Sequence, residues 1–92
     1  FNEIERDLAL VADRSLTSAE IENVIRSACK QNVISVKLFD VFTGDQVDAD
    51  KKSMAYTVRF GSDEKQLTQE DIDGFVKRIL SALKHRVNVD LR

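Results

Sequence analysis

Proline is absent from the 92 residues, and cysteine, histidine and tyrosine each occur once. The single Cys29 excludes an internal disulfide and any metal site built on paired cysteines. A reducing, cytoplasmic setting is the expectation that follows. Without proline, no strand is barred from the interior of a sheet. No apolar run approaches the length needed to cross a bilayer, so no membrane partner is expected, and no signal peptide is visible. A charge excess of one sign is also missing. Fourteen Lys and Arg stand against sixteen Asp and Glu, a net charge of −2, where a domain that holds nucleic acid mainly by charge is expected to be basic. The first 46 residues carry five basic and eight acidic side chains and the last 46 carry nine and eight. Any basic surface is therefore local, as at Lys51-Lys52 or among Lys77, Arg78, Lys84 and Arg86. The length suits one small domain over residues 1–92. The opening on Phe1 rather than methionine is what a piece of a longer protein is expected to show.

What the chain does have is apolar periodicity that changes step along its length. Residues 6–13, "RDLALVAD", read as a strand. Thr17-Ser18-Ala19-Glu20 has the spacing of a capping box. Ile21, Val24, Ile25 and Ala28 then recur at helical spacing, giving a helix to about Gln31. Residues 33–42, "VISVKLFDVF", are β-branched and aromatic and read as a strand. Residues 43–52 read as a polar loop and 53–60, "SMAYTVRF", as a strand with one apolar face. A second capped start at Thr68 opens a helix with Ile72, Phe75, Val76, Ile79, Leu80 and Leu83 on one stripe. Its acidic first turn and its closing Lys84, His85 and Arg86 suit the helix dipole. Alternation over 87–92, "VNVDLR", predicts a last strand. The order βαββαβ, with one apolar face per element, predicts an α+β, ferredoxin-like sandwich. Two helices cover one face of a four-stranded antiparallel sheet, strands one and three are central, and strand two is an edge beside strand three.

That plan hosts many unrelated tasks, so function has to come from a site. Asp45, Asp48 and Asp50 lack the spacing of a calcium loop and read as a solvated turn. His85 reads as a helix-end cation and Cys29 as a packed thiol. "DRSLTS" after the first strand has no glycine with which to cradle a phosphate as an acylphosphatase-like enzyme would. A regulatory module that binds a small ligand such as an amino acid stays open, because backbone-built sites leave little trace in a sequence. The remaining cluster is Asp40, Phe42 and Ser53. Asp40 and Phe42 are two apart on one strand, and the following hairpin brings Ser53 close. Strict alternation from Ile34, Val36 and Leu38 sends Asp40 and Phe42 toward the helices; the adjacent Leu38-Phe39 pair permits a bulge that reverses this.

The chain resembles the ferredoxin-fold anticodon-binding domain at the carboxyl end of the bacterial phenylalanyl-tRNA synthetase beta subunit. "FNEIERDLA" is similar to the family's F-P-x-V-x-R-D-L-A, with Asn2 in place of the proline. "LFDVFTG" is similar to its F-D-x-Y-x-G, and "KKSMAYTVRF" to its K-S-x-A-[YF]-x-[VL]-x-F. Leu67-Thr68 and Leu91-Arg92 match the start of its second helix and its close. The resemblance implies a non-catalytic module that binds the anticodon stem-loop of the tRNA for phenylalanine. Asp40, Phe42 and Ser53 would contact the first anticodon base, a guanine, and Phe42 departs from the family's more usual tyrosine. It implies a cytoplasmic α2β2 parent, the remainder of the beta subunit and the alpha subunit as partners, and ATP and magnesium bound elsewhere, with no cofactor in these residues.

Overall fold

The computed structural model describes residues 2–43 and 49–92, with Phe42 described in its backbone alone. Six elements follow in the order β1 (Ile4–Asp13), α1 (Ser18–Ala28), β2 (Val33–Phe42), β3 (Lys51–Phe60), α2 (Gln69–Val87) and β4 (Asp90–Leu91). The four strands form one sheet in the order β2-β3-β1-β4, all pairs antiparallel. β1 and β3 are central and β2 is the edge beside β3, as the ferredoxin-like plan requires.

Both helices start where the sequence places them. The Thr17 hydroxyl accepts from the Glu20 amide while the Glu20 carboxylate accepts from the Thr17 amide, and Thr68 and Asp71 repeat the arrangement. Each box satisfies two amides that the first helical turn leaves without partners. At Asp71 the Thr68 amide is the chief reason that the carboxyl is held below its ordinary range.

The core lies between the helices and one face of the sheet. Leu8, Leu10 and Ala12 of β1 and Met54, Tyr56, Val58 and Phe60 of β3 meet Ile21, Val24 and Ile25 of α1 and Ile72, Ile79 and Leu83 of α2. Phe60 and Phe75 stack with centroids 5.6 Å apart. The lone Tyr56 is fully buried, and its hydroxyl lies 2.9 Å from the Ser18 hydroxyl, which also donates to Glu22 at 2.9 Å. A buried phenol needs such a partner. Burial pushes its pKa up, as it does that of the Cys29 thiol, which packs in the core and donates to the Phe75 carbonyl at 3.6 Å.

Four boundaries differ from the sequence reading, the first being that α1 ends at Ala28 rather than at about Gln31. β1 begins at Ile4 and β3 at Lys51, so Lys51 and Lys52 belong to the sheet rather than to the loop. Lys51 pairs with Asp13 at 2.6 Å and the Lys52 ammonium caps the Leu16 carbonyl, which ties the tip of β3 to the end of β1. The last strand is shorter than the alternation of 87–92 predicts. Val87 ends α2, and Asn88 takes the left-handed conformation at φ 55°. The Asn88 amide donates to the Lys84 carbonyl and the Val89 amide to that of Leu83. This closure of the helix end uses asparagine, which tolerates φ > 0 better than most side chains. Only Asp90 and Leu91 then remain to pair with β1.

Candidate nucleic-acid interface

The second face of the sheet carries no helix, and its two ends differ in chemistry. Toward the start of β1 its charges are engaged with each other. Arg59 pairs with Glu3 and Glu5, and the Thr57 hydroxyl donates to Asp7 at 2.8 Å. Toward the hairpin between β2 and β3 the face holds Ala9, Val11, Ala55 and Ser53, flanked by Asp40 on one edge strand and Arg92 at the other.

Asp40 reaches this open face because β2 is not regular. Its ladder with β3 slips once between Val33 and Ser35 and again between Leu38 and Asp40. A bulge adds one residue on one strand and reverses the side that later residues face. Val36 and Leu38 stand opposite Val58 and Tyr56, on the helix side. Phe39 is the extra residue and is half exposed. Asp40 then falls opposite Ala55 on the helix-free side, and the backbone of Phe42 pairs with Ser53. Strict alternation, which would have buried the Asp40 carboxylate under the helices, is thus broken at the adjacent Leu38-Phe39 pair. The earlier bulge likewise leaves Ile34 exposed instead of sharing the face of Val36.

Removing Phe39 is therefore expected to regularise the ladder without moving Asp40 from Ala55. Cross-strand nuclear Overhauser contacts between residues 40 and 55 should persist in the deletion variant. A switch to contacts between residues 40 and 56 would show that Phe39 is not the bulge.

Asp40 is exposed, and among the described residues nothing hydrogen-bonds to or pairs with its carboxylate. Ser53 is different. It is 2% exposed, although it lies away from the helices. Arg92 reaches it, since the Arg92 amide donates to the Ala9 carbonyl at 2.8 Å and its Nη1 donates to the Ser53 hydroxyl at 3.1 Å. The structure thus brings Asp40, Ser53 and the Phe42 backbone to one end of one face. The ring of Phe42 lies outside the described side chains, as do Asp45 and Asp48. Sequence reasoning missed Arg92 as a member of this group. The signal was present: Asp90 and Arg92 alternate with Leu91, so they share the face of Val11 and Ser53 once the last strand is paired.

Among the described residues no cluster of His, Cys, Asp and Glu could hold a metal ion, and no helix is long and apolar enough to cross a membrane. His85 is exposed in the last turn of α2, beside Lys84 and Arg86.

Over 81 residues the chain is 47% identical to the phenylalanine–tRNA ligase beta subunit of Bifidobacterium longum, covering 88% of this chain and 9% of that protein. Over all 92 residues it is 37% identical to that of Streptococcus thermophilus and 34% identical to that of Listeria monocytogenes, covering 12% of each. The chain thus spans about a tenth of the length of these relatives. Residues 1–92 match the model of the ferredoxin-fold anticodon binding domain, and the chain belongs to that family.

Proposed function

We propose that this chain is the module of a phenylalanine–tRNA ligase beta subunit that recognises the anticodon stem-loop of the tRNA for phenylalanine. The observation that carries the reading is the bulge at Phe39, which brings the unpaired Asp40 carboxylate onto the helix-free face. An ionised carboxylate only accepts, and it has two oxygens. The Watson–Crick edge of guanine offers N1–H and N2–H side by side, so one carboxylate takes both. Adenine turns a ring acceptor toward the same carboxylate, and the two repel. Bases splayed from a single-stranded loop commonly stack on aromatic rings, and Phe42 keeps the ring face that a tyrosine would offer, losing only the hydroxyl. Base stacking of this kind contributes about 1–3 kcal/mol.

The modest charge of the domain fits a module that checks a base while other parts of the parent hold phosphates. ATP, magnesium and the chemistry of amino-acid activation belong in this reading to the remainder of an α2β2 parent, acting in the cytoplasm. Titrating the labelled chain with the phenylalanine anticodon stem-loop tests it. Amide signals of Asp40, Phe42 and Ser53 should shift, with weak affinity that falls steeply with salt. Shifts confined to a crevice between helix and strand on adding free amino acid would instead identify a small-ligand regulatory domain.

A further inference from the structure

We propose that the outer face of the two helices is a second nucleic-acid surface, one that holds the phosphate backbone of an RNA duplex without reading its sequence. The proposal goes beyond the anticodon reading and takes from it only that the nucleic acid is RNA. The net charge of −2 conceals a segregation. Residues 23–31, which close α1, and residues 74–89, the greater part of α2 and its close, hold Arg26, Lys30, Lys77, Arg78, Lys84 and Arg86 together with His85, and no Asp or Glu. The rest of the chain holds eight Lys and Arg against all sixteen Asp and Glu. Each of these basic side chains on the helices is exposed. The helical period sets Arg26 opposite the buried Ile21, Val24 and Ile25, and Lys77 opposite Ile72, Ile79 and Leu83, so both point away from the sheet. Lys30 follows in the turn after α1. Between the helices Arg86 Nη1 donates to the Ser27 hydroxyl at 2.7 Å, and Arg78 lies beside the Cys29 thiol. Two cations of α2 are thereby laid against the stretch that carries Arg26 and Lys30.

The helix dipole accounts for cations in a last turn, such as Lys84, His85 and Arg86. It does not account for Lys77 and Arg78 in the middle of α2. Nor does it explain the lack of any acid among them, since Glu set four residues from Lys stabilises a surface helix. Like charges gathered in this way make a field that draws a polyanion. Lys84 pairs with Asp90, but Arg26, Lys30 and Lys77 enter no ion pair among the described residues. The chemistry of the partner follows from what the face lacks. The exposed large apolar side chains are Ile34, Phe39, Val41 and Leu91, all of them on strands. A protein partner is usually met around an apolar or aromatic centre, and among the described residues the helices expose none. Nucleic-acid interfaces are more polar and far more basic. Gly74 and Ser81 lie in the outermost row of α2, and a Cβ on Gly74 would meet nothing within 4 Å. Packing inside the chain therefore does not require glycine there, where it weakens the helix, and a backbone approaching from outside has room.

The test titrates the 92-residue chain into a labelled, blunt-ended RNA duplex that has no loop, between about 50 and 200 mM salt. The duplex should bind weakly, with an affinity that falls steeply over that range. A triple variant, Arg26→Gln with Lys30→Gln and Lys77→Gln, removes cations that have no ion-pair partner to lose. It should reduce the slope of log affinity against log salt by about three, one for each phosphate contact given up. Lys37→Gln is the control, an exposed cation on the helix-free face opposite Thr57, and it should leave the slope as it was. A slope that falls as much for Lys37→Gln as for each helix cation would assign binding to the summed field and overturn the proposal. So would a chain that does not bind the duplex at the lowest salt, or a triple variant with an unchanged slope. Poly-glutamate competing as well as unlabelled duplex would assign the face to an acidic polypeptide and overturn it too. The guanine-to-adenine ratio of the anticodon stem-loops reports Asp40 on the other face, and the triple variant should leave it unchanged. Absence of that ratio in the parent chain would sink the anticodon reading while the duplex result stands or falls by itself.

Discussion

Asp40→Asn should cost guanine recognition and leave the fold intact. The side-chain amide offers one acceptor and one donor where the carboxylate offers two acceptors. Against guanine, one contact is kept and the other becomes a clash of two donors. The expected loss is about 1–3 kcal/mol, roughly five- to 150-fold in affinity for a stem-loop with guanine in the first position. A loop with adenine at that position should not lose affinity, because the amide donor now meets the ring nitrogen that the carboxylate repelled. The guanine-to-adenine ratio should therefore fall toward one or invert. Fluorescence anisotropy with the two loops measures it. Thermal unfolding supplies the control: Asp40 is exposed and has no partner among the described residues, and substitutions at such surfaces usually stay within about 0.5 kcal/mol. Equal losses on both loops would show that the carboxylate acts through the general field rather than by reading the base.

The order of elements was legible because each has its own apolar period and both helices announce themselves with capping boxes that the structure forms in full. Legibility stopped where a backbone irregularity decides the outcome. No residue type in "VISVKLFDVF" demands a bulge. Two bulges nevertheless change which residues face the helices, from Val33 to Val36 and Leu38, and then put Asp40 on the other side. The cause is tertiary. Both ends of β2 are tied to β3, which sends a regular apolar face to the core, and β2 has extra residues to accommodate between those ties. The same limit explains the last strand. Alternation over 87–92 was real, but Asn88 could enter the left-handed region and close α2 first. Membership of the candidate site was legible as chemistry at Asp40 and incomplete elsewhere. Ser53 is 2% exposed and accepts from Arg92, a side chain 39 residues away in sequence that no pattern around Ser53 announces.

The largest stability effect should come from Tyr56, and it bears on how the site is held. Tyr56 stands between Leu8 of β1 and Leu38 of β2 in the ladder, one residue after Ala55, the partner of Asp40. Its ring is fully buried and its hydroxyl joins the sheet to α1 through Ser18. Tyr56→Ala removes the ring and leaves a cavity beneath the bulge, and such large aromatic truncations cost about 3–5 kcal/mol. A domain of this size has only about 5–15 kcal/mol in total, and each kcal/mol is worth roughly 4–8 °C in Tm. The melting temperature should therefore fall by on the order of 15–30 °C. Tyr56→Phe keeps the packing and loses one neutral hydrogen bond, about 1 kcal/mol, while Ser18 keeps its bond to Glu22. The two variants together separate ring from hydroxyl. Because Asp40 lies on the opposite face, Tyr56→Phe should bind the guanine loop as well as the parent does. A Tyr56→Phe variant that melts normally yet loses guanine preference would mean that the hydroxyl network, and not the bulge alone, sets the position of Asp40.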